Sequence, residues 1–240
     1  MLVDEVTLGA RVRAGFTSRR GGVSAGAYTG LNLGDHVGDE PQAVDANRAL
    51  VADWAGAALV FPRQVHGRGV VVLDAVPGGS VGEADAVVST SPDVAVAVVV
   101  ADCVPVLLAD DEAGVVAAVH AGRPGLVAGV LQAALDAMVR AGARRERVAA
   151  ALGPSIAGAS YEVPAPMRDA VTALVPETSA STSWGTPALD LPAGVIAVLR
   201  REGVRSVLRA AADTFTVPDY YSYRRDGVTG RFAGVVRPLP

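Results

Sequence analysis

The longest apolar stretch of the chain covers residues 94–109, VAVAVVVADCVPVLLA, broken by Asp102 and stopped by Asp110, Asp111 and Glu112. A second run, GVVAAVHAG, follows at once. Runs of valine, alanine and leucine without alternation read as strands buried on both faces. The charge inside the longer run rules out a membrane-spanning helix. Upstream, the pattern predicts strands over residues 11–17, 58–62, 69–73 and 83–90. Residues 41–56 carry Pro41, Val44, Leu50, Val51 and Trp54 at helical spacing and close at Gly56, which predicts an amphipathic helix. Downstream, Leu126, Val127, Val130, Leu131, Leu135 and Met138 predict one continuous helix from Pro124 to Gly142. The rest reads as a strand in RVAAALGPSI, helices in APMRDAVTALV and LPAGVIAVLRREG, and strands and turns in RSVLRAA, YYSYRRDGVTG and RFAGVV. The charged ARRER reads as solvated surface. PETSASTSWGTPA reads as a polar loop and the one candidate linker.

Several strands follow one another directly instead of alternating with helices. That order predicts an α+β fold of the layered α/β type, a single domain over residues 1–240 with mixed β-sheets flanked by helices. At 240 residues, half of them hydrophobic, the chain can bury a full core. The net charge is −4 with both signs interspersed, which argues against a nucleic-acid polymer or an anionic membrane as partner. The N-terminal MLVDEVTLGARVRAG lacks the basic, apolar and cleavage regions of a signal peptide, so a cytoplasmic location is expected. One cysteine admits no internal disulfide.

The chain holds one cysteine and three histidines, and two of these four residues fall in the apolar runs, Cys103 just after the Asp102 break in the first and His120 near the end of the second. His66 lies between two predicted strands, and Gln64 shares its face if that piece is extended. A thiolate and two imidazoles make a three-ligand set for Zn²⁺ that leaves a fourth position open, as in catalytic sites; Cu²⁺ accepts the same atoms. Three histidines are too few for a blue-copper centre plus a three-copper cluster. Asp102 and Asp85 are the candidate acid/base groups, and strand alternation turns Asp102 away from Cys103. The Gly-rich SRRGGVSAGAYTGLNLG carries Arg19 and Arg20, a composition suited to an anion, although it matches no dinucleotide or Walker fingerprint.

RQVHG, ADCVPVLL, VHAG, GPSI with YEV, and SYRRDGVTGR, in this order over nearly the whole chain, resemble the YfiH-like family. That family was long labelled polyphenol oxidase or laccase domain and was later characterised as purine nucleoside phosphorylases. The resemblance implies one domain of layered mixed sheets and metal ligands at His66, Cys103 and His120. It implies phosphorolysis of adenosine, inosine, guanosine and methylthioadenosine, with adenosine deamination alongside; a monomer or small homo-oligomer is expected. Cys103, His120, His66 and Arg19 are then the catalytic candidates. Arg19, Arg20, Asn32, Gln64 and Arg123 are the candidates for holding purine nucleoside and phosphate. Where the family follows HAG with tryptophan, a basic residue and glycine, this chain has Arg123, Pro124 and Gly125. Three other readings stay open: a cysteine hydrolase with Cys103 as nucleophile and His120 as its base, a copper-dependent polyphenol oxidase, and a non-catalytic metal-binding protein.

Overall fold

A computed structural model describes residues 3–240. The strands are β1 (Val3–Glu5), β2 (Val12–Thr17), β3 (Ala58–Val60), β4 (Val70–Leu73), β5 (Ala86–Ser89), β6 (Val94–Val100), β7 (Val104–Asp110), β8 (Val115–Ala121), β9 (Ala149–Leu152), β10 (Ser179–Ser181), β11 (Pro187–Leu189), β12 (Ser206–Arg209) and β13 (Phe232–Pro238). The helices are α1 (Pro41–Ala55), α2 (Arg123–Ala128), α3 (Val130–Arg140), α4 (Ala165–Thr172), α5 (Leu191–Arg201) and the single turn α6 (Tyr223–Asp226). One sheet has the order β1-β2-β13-β6-β3, a second the order β12-β9-β7-β8-β5-β4, and β10-β11 form a separate hairpin. Both large sheets mix parallel and antiparallel pairs. The α+β expectation of mixed sheets flanked by helices therefore holds.

Side-chain alternation explains the layers. On β6, Val94, Val96 and Val98 pack with Phe16, Leu107, Val116 and Ala118 between the two sheets. Ala95, Ala97 and Val99 face the other way, against Leu33, Val51 and Ala55 under α1. On β7, Leu107 and Ala109 point between the sheets, while Val104, Val106 and Leu108 meet Leu131, Leu135 and Met138 of α3 and Leu199 of α5. Each central strand is buried on both faces, which is why its sequence is continuously apolar.

The chain from β6 to β7 passes from one sheet to the other. The switch is made at Ala101, Asp102 and Cys103, where Asp102 takes φ 92, a conformation sparsely allowed for a side-chain-bearing residue. Its carboxylate holds the turn by accepting from the Thr214 hydroxyl at 2.7 Å and the Arg224 backbone N–H at 2.7 Å.

Two sequence expectations are corrected, and the surface reading of ARRER holds at Arg144 and Glu146 but gains partners at Arg145 and Arg147. The helix expected from Pro124 to Gly142 is two helices, because Gly129 sits at φ 88 and caps α2 through its N–H. Its apolar spacing survives the break, which is why periodicity alone does not reveal it. The segment expected to be a linker folds back as the β10-β11 hairpin. The ARRER run is tied down: Arg145 pairs with Asp136 and Glu202, and Arg147 reaches the fully buried Asp110 at 2.8 Å. No helix of the described residues is long and apolar enough to cross a membrane.

Candidate metal centre

The site grows out of the segment between β3 and β4. Gln64 bonds to the backbone of Val99 as a strand residue would, with its amide donating to the carbonyl at 2.8 Å and its oxygen accepting the N–H at 2.8 Å. Two residues on, the chain leaves extended geometry, and His66 has φ 58. The shared strand face expected for Gln64 and His66 is therefore not formed, although both side chains line one cavity.

A single carboxylate holds that turn. Asp85, fully buried just before β5, accepts the N–H groups of Val65, His66 and Gly67 at 3.3, 2.9 and 2.6 Å. The same carboxylate meets Nδ1 of His120, the penultimate residue of β8, at 2.8 Å, and its backbone carbonyl accepts the His120 N–H at 2.7 Å. Asp85 thus fixes the backbone of one histidine and the ring of the other. Its hydrogen bonds from His120, Gly67 and Val65 hold its carboxyl below the ordinary range against the opposing effect of burial.

Cys103 completes the set at the start of β7, which pairs with β8 so that Pro105 lies opposite His120. The Cys103 Sγ is 3.9 Å from His66 Nε2, and the donor atoms of His66, Cys103 and His120 all lie within 4.8 Å of one another. The two imidazoles meet edge to face with centroids 4.6 Å apart. Burial pushes the Cys103 thiol up, but the charge of His120 and hydrogen bonds from both imidazoles bring it down to about 6. Burial works against the His120 imidazolium, and Cys103 and Asp85 together raise it to about 9.

The donor set fits a divalent metal ion. Four-coordinate zinc with bonds of roughly 2.3 Å to sulfur and 2.0–2.1 Å to nitrogen brings neighbouring ligand atoms to about 3.3–3.6 Å, close to the His66–Cys103 spacing already present. With Nδ1 of His120 on a carboxylate, its Nε2 is left for the metal, the usual arrangement of a ligating histidine. Gly122 gives the set its room: a Cβ there would lie 2.9 Å from His66 Cδ2 and 3.1 Å from Cys103 Sγ.

The three candidate ligands open into a cavity of about 430 Å³, within the range typical of small-molecule sites. Tyr161 and Tyr223 line it, together with His36, Arg224 and Arg231. None of these was singled out as a site residue from sequence. His36 was within reach, since the rarity of histidine that pointed to His66 and His120 applies equally to the third. Arg224 and Tyr223 sit in SYRRDGVTGR, and Tyr161 in YEV, segments that carried the family resemblance without a role.

Other expected residues lie elsewhere. Arg20 pairs with Asp219 at the surface, and Arg19 lies 4.8 Å over the Tyr221 ring while donating to the Thr29 carbonyl. Neither is among the cavity-lining residues. Asn32 is fully buried and spends its amide on Gly34, Asp39 and the Arg231 backbone N–H. Within the Gly-rich loop, Asn32 is turned inward because the tight backbone there needs its amide as partner. Arg123 opens α2 beside Tyr161, whose phenol burial pushes up against the opposing charges of Arg123 and Arg224.

Residues 13–238 match the family described as multi-copper polyphenol oxidoreductase laccase. The chain is 53% identical over 226 residues to a Streptomyces coelicolor protein named purine nucleoside phosphorylase SCO2081, with 92% of this chain and 93% of that one covered. It is 45% identical over 236 residues to the Mycobacterium tuberculosis purine nucleoside phosphorylase Rv2149c, covering 97% and 94%. Among solved structures it is similar to Neisseria meningitidis protein NMB0706, with TM-score 0.91, 38% identity and full coverage of both chains. It is also similar to Bacillus licheniformis YfiH, with TM-score 0.85, 27% identity, and 95% and 93% covered.

Proposed function

The chain belongs to the multi-copper polyphenol oxidoreductase laccase family, and from that premise we propose that it is a metal-dependent purine nucleoside phosphorylase. Its substrates would be adenosine, inosine, guanosine and methylthioadenosine, each giving free base and ribose 1-phosphate, with adenosine deamination as a side activity. The relatives named purine nucleoside phosphorylase support the reaction class. The observation that carries the reading is the convergence of His66, Cys103 and His120 in a cavity that Tyr161 and Tyr223 also line.

His66, Cys103 and His120 would hold Zn²⁺, or Cu²⁺ on the same donors. The ion would supply Lewis-acid chemistry and water activation at neutral pH. The protein's own groups do the rest. Tyr161 and Tyr223 offer aromatic faces to a purine. Burial raises the Tyr161 phenol, so it keeps its proton at neutral pH and remains a hydrogen-bond donor. Asp85 keeps the His120 ring in one tautomer and the His66 backbone in its turn.

A second reading is favoured by one observation: Cys103, His120 and Asp85 follow the nucleophile–imidazole–carboxylate order of a cysteine hydrolase. One experiment separates the two. Inosine and adenosine are incubated with and without phosphate, products are separated by chromatography, and the metal content of the same sample is measured. Base and ribose 1-phosphate that form only with phosphate, and vanish on chelation and in Cys103→Ala, support the phosphorylase. Inosine formed from adenosine without phosphate supports the deaminase. Turnover that survives metal removal but is lost on thiol alkylation, with substrate protecting, replaces both by the hydrolase.

A further inference from the structure

Two arginines that line the cavity make no ion pair with a carboxylate among the described residues. Among the described residues eight arginines pair with a carboxylate; Arg224 and Arg231, both lining the cavity that holds the metal ligands, do not. A cation taken partly out of water without a partner carries a desolvation cost, and burial does pull the Arg231 guanidinium below its ordinary value, against the charges of Cys103 and Asp102.

Both are held in place by backbone contacts. The Arg231 N–H donates to Asn32 Oδ1 at 2.8 Å, and its carbonyl accepts from Leu33 at 2.9 Å. Its stem runs over Gly34, where a Cβ would stand 2.7 Å from Arg231 Cγ. Its Nη1 donates to the carbonyls of Thr229 and Gly230 at 3.0 and 2.9 Å, leaving Nε and Nη2 without partners among the described residues. Arg224 is anchored through its backbone N–H to Asp102 and through Nη1 to the Glu162 carbonyl at 2.7 Å, with its guanidinium 5.0 Å over the Tyr161 ring. Fixed guanidiniums with unused N–H groups suit a tetrahedral oxyanion, which each can grip with two bonds.

We propose that Arg231, with Arg224, forms the oxyanion subsite of this cavity and that its ligand is inorganic phosphate; the Gly-rich loop bearing Arg19 and Arg20 contributes by clamping Arg231 through Asn32 and Gly34. The identity of the ligand rests on the phosphorylase reading. In that reaction a phosphate oxygen bonds to C1′ as the glycosidic bond breaks. The bonding pair leaves with the base, and the hydrogenphosphate proton ends on the purine.

The test is calorimetric titration of the whole metal-loaded protein with inorganic phosphate in the absence of nucleoside, with sulfate as competitor. The wild type binds one phosphate, and Arg231→Gln weakens it roughly ten- to hundredfold, the scale of hydrogen bonds to a charged group. Arg224→Gln weakens it less, and Arg231→Lys restores part of the affinity. In turnover, KM for phosphate rises while KM for nucleoside stays within about threefold. Thermal unfolding and metal content of each variant are measured alongside; if Arg231→Gln does not fold, Arg231→Lys and Arg224→Gln carry the comparison. Unchanged phosphate affinity in Arg231→Gln, or loss of binding in Arg19→Gln with Arg231→Gln intact, overturns the assignment and leaves the phosphorylase reading standing. Phosphate binding that depends on Arg231 in a protein that cleaves no nucleoside upholds the subsite and removes that reading.

Discussion

Asp85→Asn is the sharpest perturbation the site offers, because the carboxylate has two oxygens and each serves two donors. Oδ1 takes the His66 N–H and His120 Nδ1, and Oδ2 takes the N–H groups of Val65 and Gly67. Asparagine has one acceptor oxygen. If its NH2 replaces Oδ2, two backbone N–H groups face a donor. If it replaces Oδ1, the His66 N–H is orphaned and the His120 ring must flip tautomer, so that Nε2 carries a proton and is lost as a metal ligand. Each unsatisfied donor costs about 1–3 kcal/mol, so the first orientation destabilises the metal-free protein by about 2–6 kcal/mol and the second by about 1–3 kcal/mol, a large share of a typical stability of about 5–15 kcal/mol. Loss of such a supporting carboxylate lowers metal affinity roughly 10–100-fold. Urea unfolding of metal-free protein gives the first number, and zinc competition against a chromophoric chelator gives the second. A variant that loses less than about 1 kcal/mol and binds zinc within about threefold of wild type refutes the claim that Asp85 organises both histidines.

Gly122→Ala tests the close approach of the ligands. The backbone at φ −75 accepts alanine, so the fold is expected to persist, with metal lost on gel filtration because the new methyl stands against His66 and Cys103; stoichiometric metal in the variant counts against the convergent site. Asp110 tests acid stability away from the site. Burial raises its carboxyl, but the Arg144 N–H and Arg147 outweigh this and hold it below the ordinary value. The stability it contributes is therefore present above the unfolded carboxyl pKa of about 3.9 and is lost as pH falls through the lower folded value. Asp110→Asn should be less stable at pH 7 and show a shallower fall in acid unfolding curves; equal slopes for both proteins remove the assignment.

Much of the layer structure was legible because the central strands are buried on both faces, and that burial writes itself as unbroken apolar runs around Cys103 and His120. Two kinds of feature were not legible. A change of sheet inside one apolar run leaves the composition unchanged, so the transfer at Asp102 shows only in its φ. The break of the 124–142 helix at Gly129 is hidden in the same way, because the apolar spacing continues through it. Partnerships across long sequence gaps were the other. Arg19 and Arg20 looked like anion ligands because they are adjacent and glycine-flanked, yet one is matched by Asp219 and the other by Tyr221, some 200 positions later. Arg231 gave no such local signal; its place follows from Asn32, which the fold brings to it from the opposite end of the chain.

The two chemistries open to Cys103 differ in what they require of His66. A cysteine nucleophile needs one imidazole with a carboxylate behind it, and His120 with Asp85 meets that need alone. His66 is then superfluous, and it is not free: a positive φ on a side-chain-bearing residue costs on the order of 1–3 kcal/mol, offset here by three backbone bonds to Asp85. That strain places a second imidazole nitrogen 3.9 Å from the sulfur, in the space where a thiolate would have to meet an acyl carbon. Metal binding uses both imidazoles, the thiolate, the missing side chain at Gly122 and the tautomer imposed by Asp85, whereas the nucleophile reading leaves the strained turn and the glycine without a purpose. Of the two, the metal centre is the one that accounts for every constraint the fold has built around Cys103.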